Sequence, residues 1–167
     1  MNKIINIKLN KAIKEIREFR DKLFSQCDIR FTNVHMKKLN KIINVDLFSK
    51  NDLYINSTTL FELMQPIGNA GSHNYHELTP EDILNALNSI IDPLAVFSVK
   101  YERYAVVPVY NSSFNEPLMV VIETNAPLLN RQNANINKIV TIYPKSGFDK
   151  YLESIKNEDM LYKKIKK

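Results

Sequence analysis

The hydrophobic pattern predicts an α+β fold: N-terminal helices, then a four-stranded antiparallel sheet, then a short C-terminal helix. Two observations carry this. Apolar residues recur three or four positions apart as far as Ile91, which is the helical period. From Leu94 onward they crowd into short β-rich runs separated by turn residues. Helices followed by a block of strands place the helices against one face of an antiparallel sheet.

Taken in order, residues 3–24 read as an amphipathic helix, with Ile4, Ile5, Leu9, Ile13, Ile16, Phe19, Leu23 and Phe24 between Lys, Arg and Glu. A second helical pattern starts near Asn33 and runs through Met36, Leu39, Ile42 and Ile43, with Lys37, Lys38 and Lys41 on the other side. After a short apolar stretch at Leu53–Ile55, STTLFEL reads as a helical turn opened by Ser57 or Thr58, and Pro66, Gly68 and Gly71 mark a loop. Thr79 is a good N-cap, Pro80 suits the first helical position, and Glu81 and Asp82 complement the positive end of the helix dipole. A helix therefore begins at Pro80. Asp92 before Pro93 stops it, because proline disfavours a helical residue in front of it.

The four strands are read at LAVFSVK (94–100), RYAVVPVYN (103–111), EPLMVVIET (116–124) and NKIVTIYPK (137–145), with LLNRQNANI as a longer loop before the last. Pro108, which has no N–H to give a ladder, points to an edge position or a bulge. The tail reads as a short helix over 148–157 and then a basic extension.

A chain of 167 residues is long enough for one core. The natural division is a basic helical extension over 1–50 and a compact domain over 51–167. A single cysteine, Cys27, rules out an internal disulfide, and nothing points to a Cys-based metal site. No apolar run is long enough to span a membrane, and the N-terminus has no secretory signal pattern, so a bacterial cytoplasm is the expected location. Twelve basic against five acidic side chains fall in 1–50, four against nine in 51–144, and seven against four in 145–167. Basic ends attract polyanions such as nucleic acid, although a solvated helix face gives the same count.

The stretch SHNYHELTPEDIL holds two of the three histidines. Thr79 and Pro80 put His73 and His76 ahead of the helix, in a loop, with His35 and Cys27 remote in sequence, too few ligands for zinc. There is no GxGxxG, phosphate loop, GxSxG or HExxH, so no cofactor and no metal is expected. Metal-free phosphotransfer remains open. It requires a base, an acid and groups that hold a developing phosphorane charge, and His, Lys, Thr and Tyr suffice. His76 lies just before a helix, Thr141 and Tyr143 alternate on one face of the last strand, Lys145 ends it, and Tyr162, Lys163 and Lys164 follow in the tail. Each also has a structural reading, as a turn residue, a strand former or a solvated terminus.

The order of these landmarks resembles one group. An H-x-L-T-P helix start (His76, Leu78, Thr79, Pro80), DPLAVF, strands carrying VVPV and PLMVVIE, then INKIVTIYPKS and a final MLYKKIKK are similar to the toxin-like domain at the C-terminus of phage MuF-type head-morphogenesis proteins. That domain is placed with the barnase, EndoU, colicin and RelE-like nucleases, and the resemblance covers about residues 53–167. It implies a helix-plus-antiparallel-sheet fold and a metal-independent ribonuclease acting on cellular RNA. On the matching positions, His76 is implied as general acid or base, Thr141 and Tyr143 as groups orienting the scissile phosphate, and Tyr162 as a further catalytic position. Lys145, Lys163 and Lys164 are implied as substrate-binding charges.

Two classes of function follow. One is a phage- or mobile-element-borne ribonuclease whose partners are RNA and an inhibitor. The other is a catalytically silent member of the same fold that binds a host factor or a phage head protein. An enzyme brings His76, Tyr143 and a lysine into one cleft, whereas a binder scatters or buries them. A third idea is a nucleic-acid-binding regulator using Lys37, Lys38 and Lys41.

Overall fold

The computed structural model describes residues 10–11, 14, 27–31, 34–48, 53–67 and 74–165. The helix expected over 3–24 lies outside these apart from residues 10, 11 and 14, which are helical. In chain order the elements are β1 (Asp28–Phe31), α1 (Val34–Ile43), β2 (Leu53–Asn56), α2 (Ser57–Leu63), α3 (Pro80–Ser89), β3 (Pro93–Val99), β4 (Arg103–Pro108), β5 (Leu118–Leu128), β6 (Arg131–Pro144), α4 (Phe148–Ser154) and β7 (Met160–Lys163).

The strands form one seven-stranded sheet in the order β1-β2-β6-β5-β4-β3-β7. All neighbours are antiparallel except β2 and β6, which run parallel with Leu53 opposite Asn137 and Ile55 opposite Ile139. This corrects the expected four-stranded antiparallel sheet with helices before it and a helix closing the chain. The four runs after Leu94 are the centre of a mixed sheet, and β1, β2 and β7 extend it on both sides. Each added strand has four residues, too few to establish a period of two. The parallel pair also joins residues more than eighty positions apart, which no local pattern reveals. The segment MLYK, read as part of a basic extension, is β7, which pairs with β3.

The stretch expected as a loop over 128–136 is the far end of a long hairpin. β5 continues to Leu128 and β6 starts at Arg131. Its Asn-rich composition is poor for strands, but Asn125 (φ 57°) and Asn135 (φ 49°) take the left-handed conformation that asparagine tolerates. The register shifts between Glu123 and Ala126 and again between Ala126 and Leu128. Bulges of this kind let a polar ribbon stay paired. Pro108 ends β4, a central strand, opposite Pro93 and beside a register shift between Pro93 and Ala95.

The sheet has apolar residues on both faces. On one, Val96, Val106, Leu118, Val120, Ile122, Ile139 and Ile142 pack with Met36, Leu39 and Ile43 of α1, Leu60 and Leu63 of α2, and Ile83, Ala86 and Leu87 of α3. On the other, Ala95, Phe97, Ala105, Val107 and Met119 pack with Phe148 and Leu152 of α4. β1 and α1 fall within the first fifty residues and belong to the same sheet and core as the later elements. No helix among the described residues is long and apolar enough to cross a membrane.

α3 begins as its sequence predicts, with Thr79 as N-cap and Pro80 in the first turn, and Asp82 completes a capping box. The carboxylate does more than cap. Its Oδ2 accepts from the Thr79 N–H (3.0 Å), the Thr79 hydroxyl (3.0 Å) and the Ser113 hydroxyl (2.9 Å). Oδ1 accepts from the Ser113 N–H (2.8 Å) and the Tyr110 hydroxyl (3.1 Å). Asp82 is 1% exposed. Burial pushes its pKa up, but the backbone and hydroxyl donors of Thr79 and Ser113 outweigh this and hold it below the ordinary carboxylate value.

Asp82→Ala leaves several buried donors unanswered and is expected to destabilise the fold by about 3 kcal/mol. Chemical denaturation of the two proteins measures this. Because the folded pKa is depressed, the stabilisation is present above the unfolded value of about 3.9 and is lost as pH falls through the folded value. The stability gap between wild type and Asp82→Ala should therefore narrow in acid, and an equal gap at pH 7 and pH 3 would refute the account.

Candidate functional site

β2 accompanies β6 only over Asn137–Ile139, so among the described residues no strand lies beside the last five residues of β6 on that side. There the β6 side chains also change phase. Val121 pairs with Thr141 while Ile122 pairs with Ile139, which leaves Val140 as an extra residue. This bulge re-aims the strand. Ile139 and Ile142 both enter the core shared with α1, α2 and α3, and Tyr143 packs on the α4 face. Alternation puts Thr141 on that face with it.

The segment ahead of α3 reaches this face around the open part of β6. Leu78 is buried in the core on one side of the sheet, and His76, two residues earlier, meets Tyr143 on the other. Glu77 between them is left-handed (φ 54°). Two backbone bonds fix the crossing: the Glu77 N–H donates to Gln65 O (2.8 Å) and the Leu78 N–H to Leu63 O (2.9 Å). The segment is thus pinned to the end of α2 on one side and to α3 by the capping box on the other.

His76 Nε2 lies 3.3 Å from Thr141 Oγ1. With the ring proton on Nδ1, Nε2 accepts the threonine hydroxyl, and in the other tautomer it donates to it. The imidazole sits 5.6 Å from the Tyr143 ring at 37°. Burial lowers the His76 pKa below its ordinary value, so the ring is neutral at pH 7 and one of its two nitrogens carries a lone pair. Burial, and secondarily the nearby Tyr151, raise the Tyr143 pKa, so the phenol keeps its proton. Lys145 Nζ lies 4.2 Å above the centre of the Tyr151 ring.

Four expected site residues therefore occupy one face of one strand end: His76, Thr141 and Tyr143 in contact, and Lys145 two residues further on. The other three lie elsewhere. Tyr162 packs on the opposite face of the sheet, with the α1, α2 and α3 core. β7 is four strands from β6, roughly 19 Å away at the usual spacing. Lys163 is exposed there, and Lys164 pairs with Asp92 at 2.9 Å. His73 lies outside the described residues. Tyr151, which sequence reasoning did not select, joins the cluster from α4. It reads as one more member of an apolar helical stripe with Phe148, Leu152 and Ile155, and only the fold places it beside β6.

Among the described residues no group of three or more His, Cys, Asp or Glu side chains converges to hold a metal ion. A groove of about 510 Å³ exists at the tip of the β5–β6 hairpin, lined by Tyr54, Leu128, Arg131 and Ile136 among others. It does not include the His76 cluster, and its walls carry no candidate acid or base beyond Tyr54.

Residues 69–167 match the family model of the phage MuF C-terminal domain, and the chain belongs to that family. The matched region contains every expected site residue, and it starts ahead of His76 and α3. No curated protein matches the chain, and no solved structure does.

The lowered His76 pKa has a measurable consequence. The unfolded ring, with a pKa near 6.5, binds a proton before the folded one does, so the fold loses stability as pH falls from about 6.5 through the folded value. Titration of the His76 ring by NMR should give a value below 6.5, and His76→Gln should flatten the stability profile in that window. A ring titrating above 6.5 would mean that a charge partner, not burial, governs it.

Proposed function

We propose that the chain is a binding domain of a phage head component, holding a phage or host protein and not turning over RNA. The observation that supports this best is the dispersal of its cations. RNA cleavage needs positive charge and hydrogen-bond donors aimed at one phosphate. Of the three expected lysines, Lys145 accompanies His76, while Lys163 and Lys164 lie across the sheet and Lys164 is neutralised by Asp92. The family match supports the same reading, since it ties the domain to a phage head protein.

A second reading, a metal-independent ribonuclease, is favoured by one specific observation: the neutral His76 imidazole lies against Thr141 and Tyr143. In that reading Nε2 takes the proton of an RNA 2′-hydroxyl as its oxygen attacks phosphorus. The bond to the 5′-oxygen breaks, and Tyr143, still protonated, supplies the leaving oxygen with a proton. Thr141 and Lys145 face the non-bridging oxygens.

One pair of assays separates the two. The purified chain is sedimented with individual head proteins of its phage, and separately incubated with total bacterial RNA. The binding reading expects a stoichiometric complex with one head protein and intact RNA, both unchanged in His76→Ala. Discrete RNA fragments that disappear in His76→Ala would replace it with the ribonuclease reading.

A further inference from the structure

Lys145 differs from four other cations that are paired with carboxylates. Lys138 pairs with Asp28, Arg103 with Glu123, Lys156 with Glu158 and Lys164 with Asp92. Among the described residues no carboxylate pairs with Lys145. It is nevertheless half-buried, and its place is set from two sides. Its N–H donates to Pro117 O at 2.9 Å, fixing the backbone beyond β6. Its ammonium rests over the Tyr151 ring. The Tyr151 ring is in turn held edge-on by Phe97, with centroids 6.0 Å apart at 66°, and its backbone N–H donates to Gly147 O at 3.0 Å as α4 begins.

A lysine side chain has four freely rotating carbons and loses rotamer entropy whenever it is fixed. An ammonium that stays partly desolvated without a carboxylate, over an aromatic face, is oriented and still able to take an anion. Tyr143, two residues before Lys145 at the end of β6, packs against the same apolar cluster as Tyr151 and touches His76. Thr141, His76 and Tyr143 on one side and Tyr151 with Lys145 on the other are thus brought to the same face of the sheet.

We infer that Tyr151 is a positioning residue of the His76 site, its ring seating Lys145 so that the ammonium and the His76–Thr141 pair address the same phosphate group. This goes beyond the binding reading, since an ammonium, a hydroxyl and an imidazole can take one phosphate whether or not RNA is cleaved there. It adds a role for α4, which otherwise only covers the sheet. Tyr151 does not touch the phosphate. It acts through Lys145, so its hydroxyl is dispensable and its ring is not.

The test uses inorganic phosphate as the probe and the His76 ring C–H resonances as the readout, identified by their loss in His76→Ala. Wild type should show a saturable shift. Tyr151→Phe keeps the aromatic face and should match it, whereas Tyr151→Leu should weaken binding about three- to fivefold, the size expected for one partly exposed cation–π contact, and Lys145→Ala, which removes the charge itself, by at least as much. If Tyr151→Leu melts early, Tyr151→Met, which keeps bulk against Phe97, takes its place. Phosphate affinity unchanged in the leucine or methionine variant, equal loss in Tyr151→Phe, or no saturable shift in wild type would each overturn the inference. RNA cleavage is scored separately. Intact RNA together with the expected phosphate pattern would sink the ribonuclease reading and leave the role of Tyr151 standing.

Discussion

The buried carboxylate of Asp82 is the constraint from which the rest of the arrangement follows. A charge with almost no solvent contact must be answered by donors, and here they come from two places far apart in sequence, Thr79 ahead of α3 and Tyr110 and Ser113 in the loop between β4 and β5. One side chain thereby caps a helix, halts the chain before it in an extended conformation (Thr79 φ −77°, ψ 157°), and ties that corner to the end of a central strand. The path of residues 76–79 is dictated at Asp82, while the hydrogen bonds of Glu77 and Leu78 to the end of α2 fix its other side. His76 can reach the far face of the sheet because that path is held at both ends.

The mixed sheet supplies the opening. Had β2 run the full length of β6, no edge would remain for the 76–78 crossing. A four-residue parallel strand, entering from a connection of more than twenty residues after β1, covers only the middle of β6. The bulge at Val140 then turns Thr141 and Tyr143 away from the main core and toward α4. Strict alternation would put Ile139, Thr141 and Tyr143 on one face, and burying Ile139 and Ile142 together requires the extra residue. The candidate site is in this sense a by-product of satisfying two isoleucines three positions apart.

Those two features mark the boundary of what the sequence makes legible. The start of α3 is readable because capping chemistry is local: Thr79, Pro80 and an acidic first turn lie within four residues. The central strands are readable because runs such as LAVFSVK and PLMVVIET bury both faces. β1, β2 and β7 are not, since a strand of four residues gains its stability from neighbours it finds through the fold and not from its own pattern. The asparagines of the β5–β6 tip mislead for a related reason, because propensity counts them as loop formers while bulges use them inside a ladder. Within the site, the alternation of Thr141 and Tyr143 and the placing of His76 before a helix can be read from spacing. The role of Tyr151 cannot, since an aromatic residue in a helical stripe looks the same whether its ring faces core or cation.

The charge pattern shows why a sum over the chain says little about a surface. Both ends are basic and the middle is acidic, which in one dimension suggests a polyanion held at the tail. The fold sends the tail to the edge of the sheet farthest from β6 in that direction, and Asp92, the residue that stops the segment after α3, takes up Lys164. Neutralisation at that edge leaves Lys145 as the expected site cation on the α4 face, with no carboxylate partner among the described residues. A single oriented ammonium beside a neutral imidazole can select where an anion sits, but it cannot hold a long polyanion by counterion release, whose strength scales with the number of phosphates contacted. Any nucleic acid bound at this face is therefore held locally, at one phosphate, and extended affinity for a partner must come from contacts elsewhere on the domain.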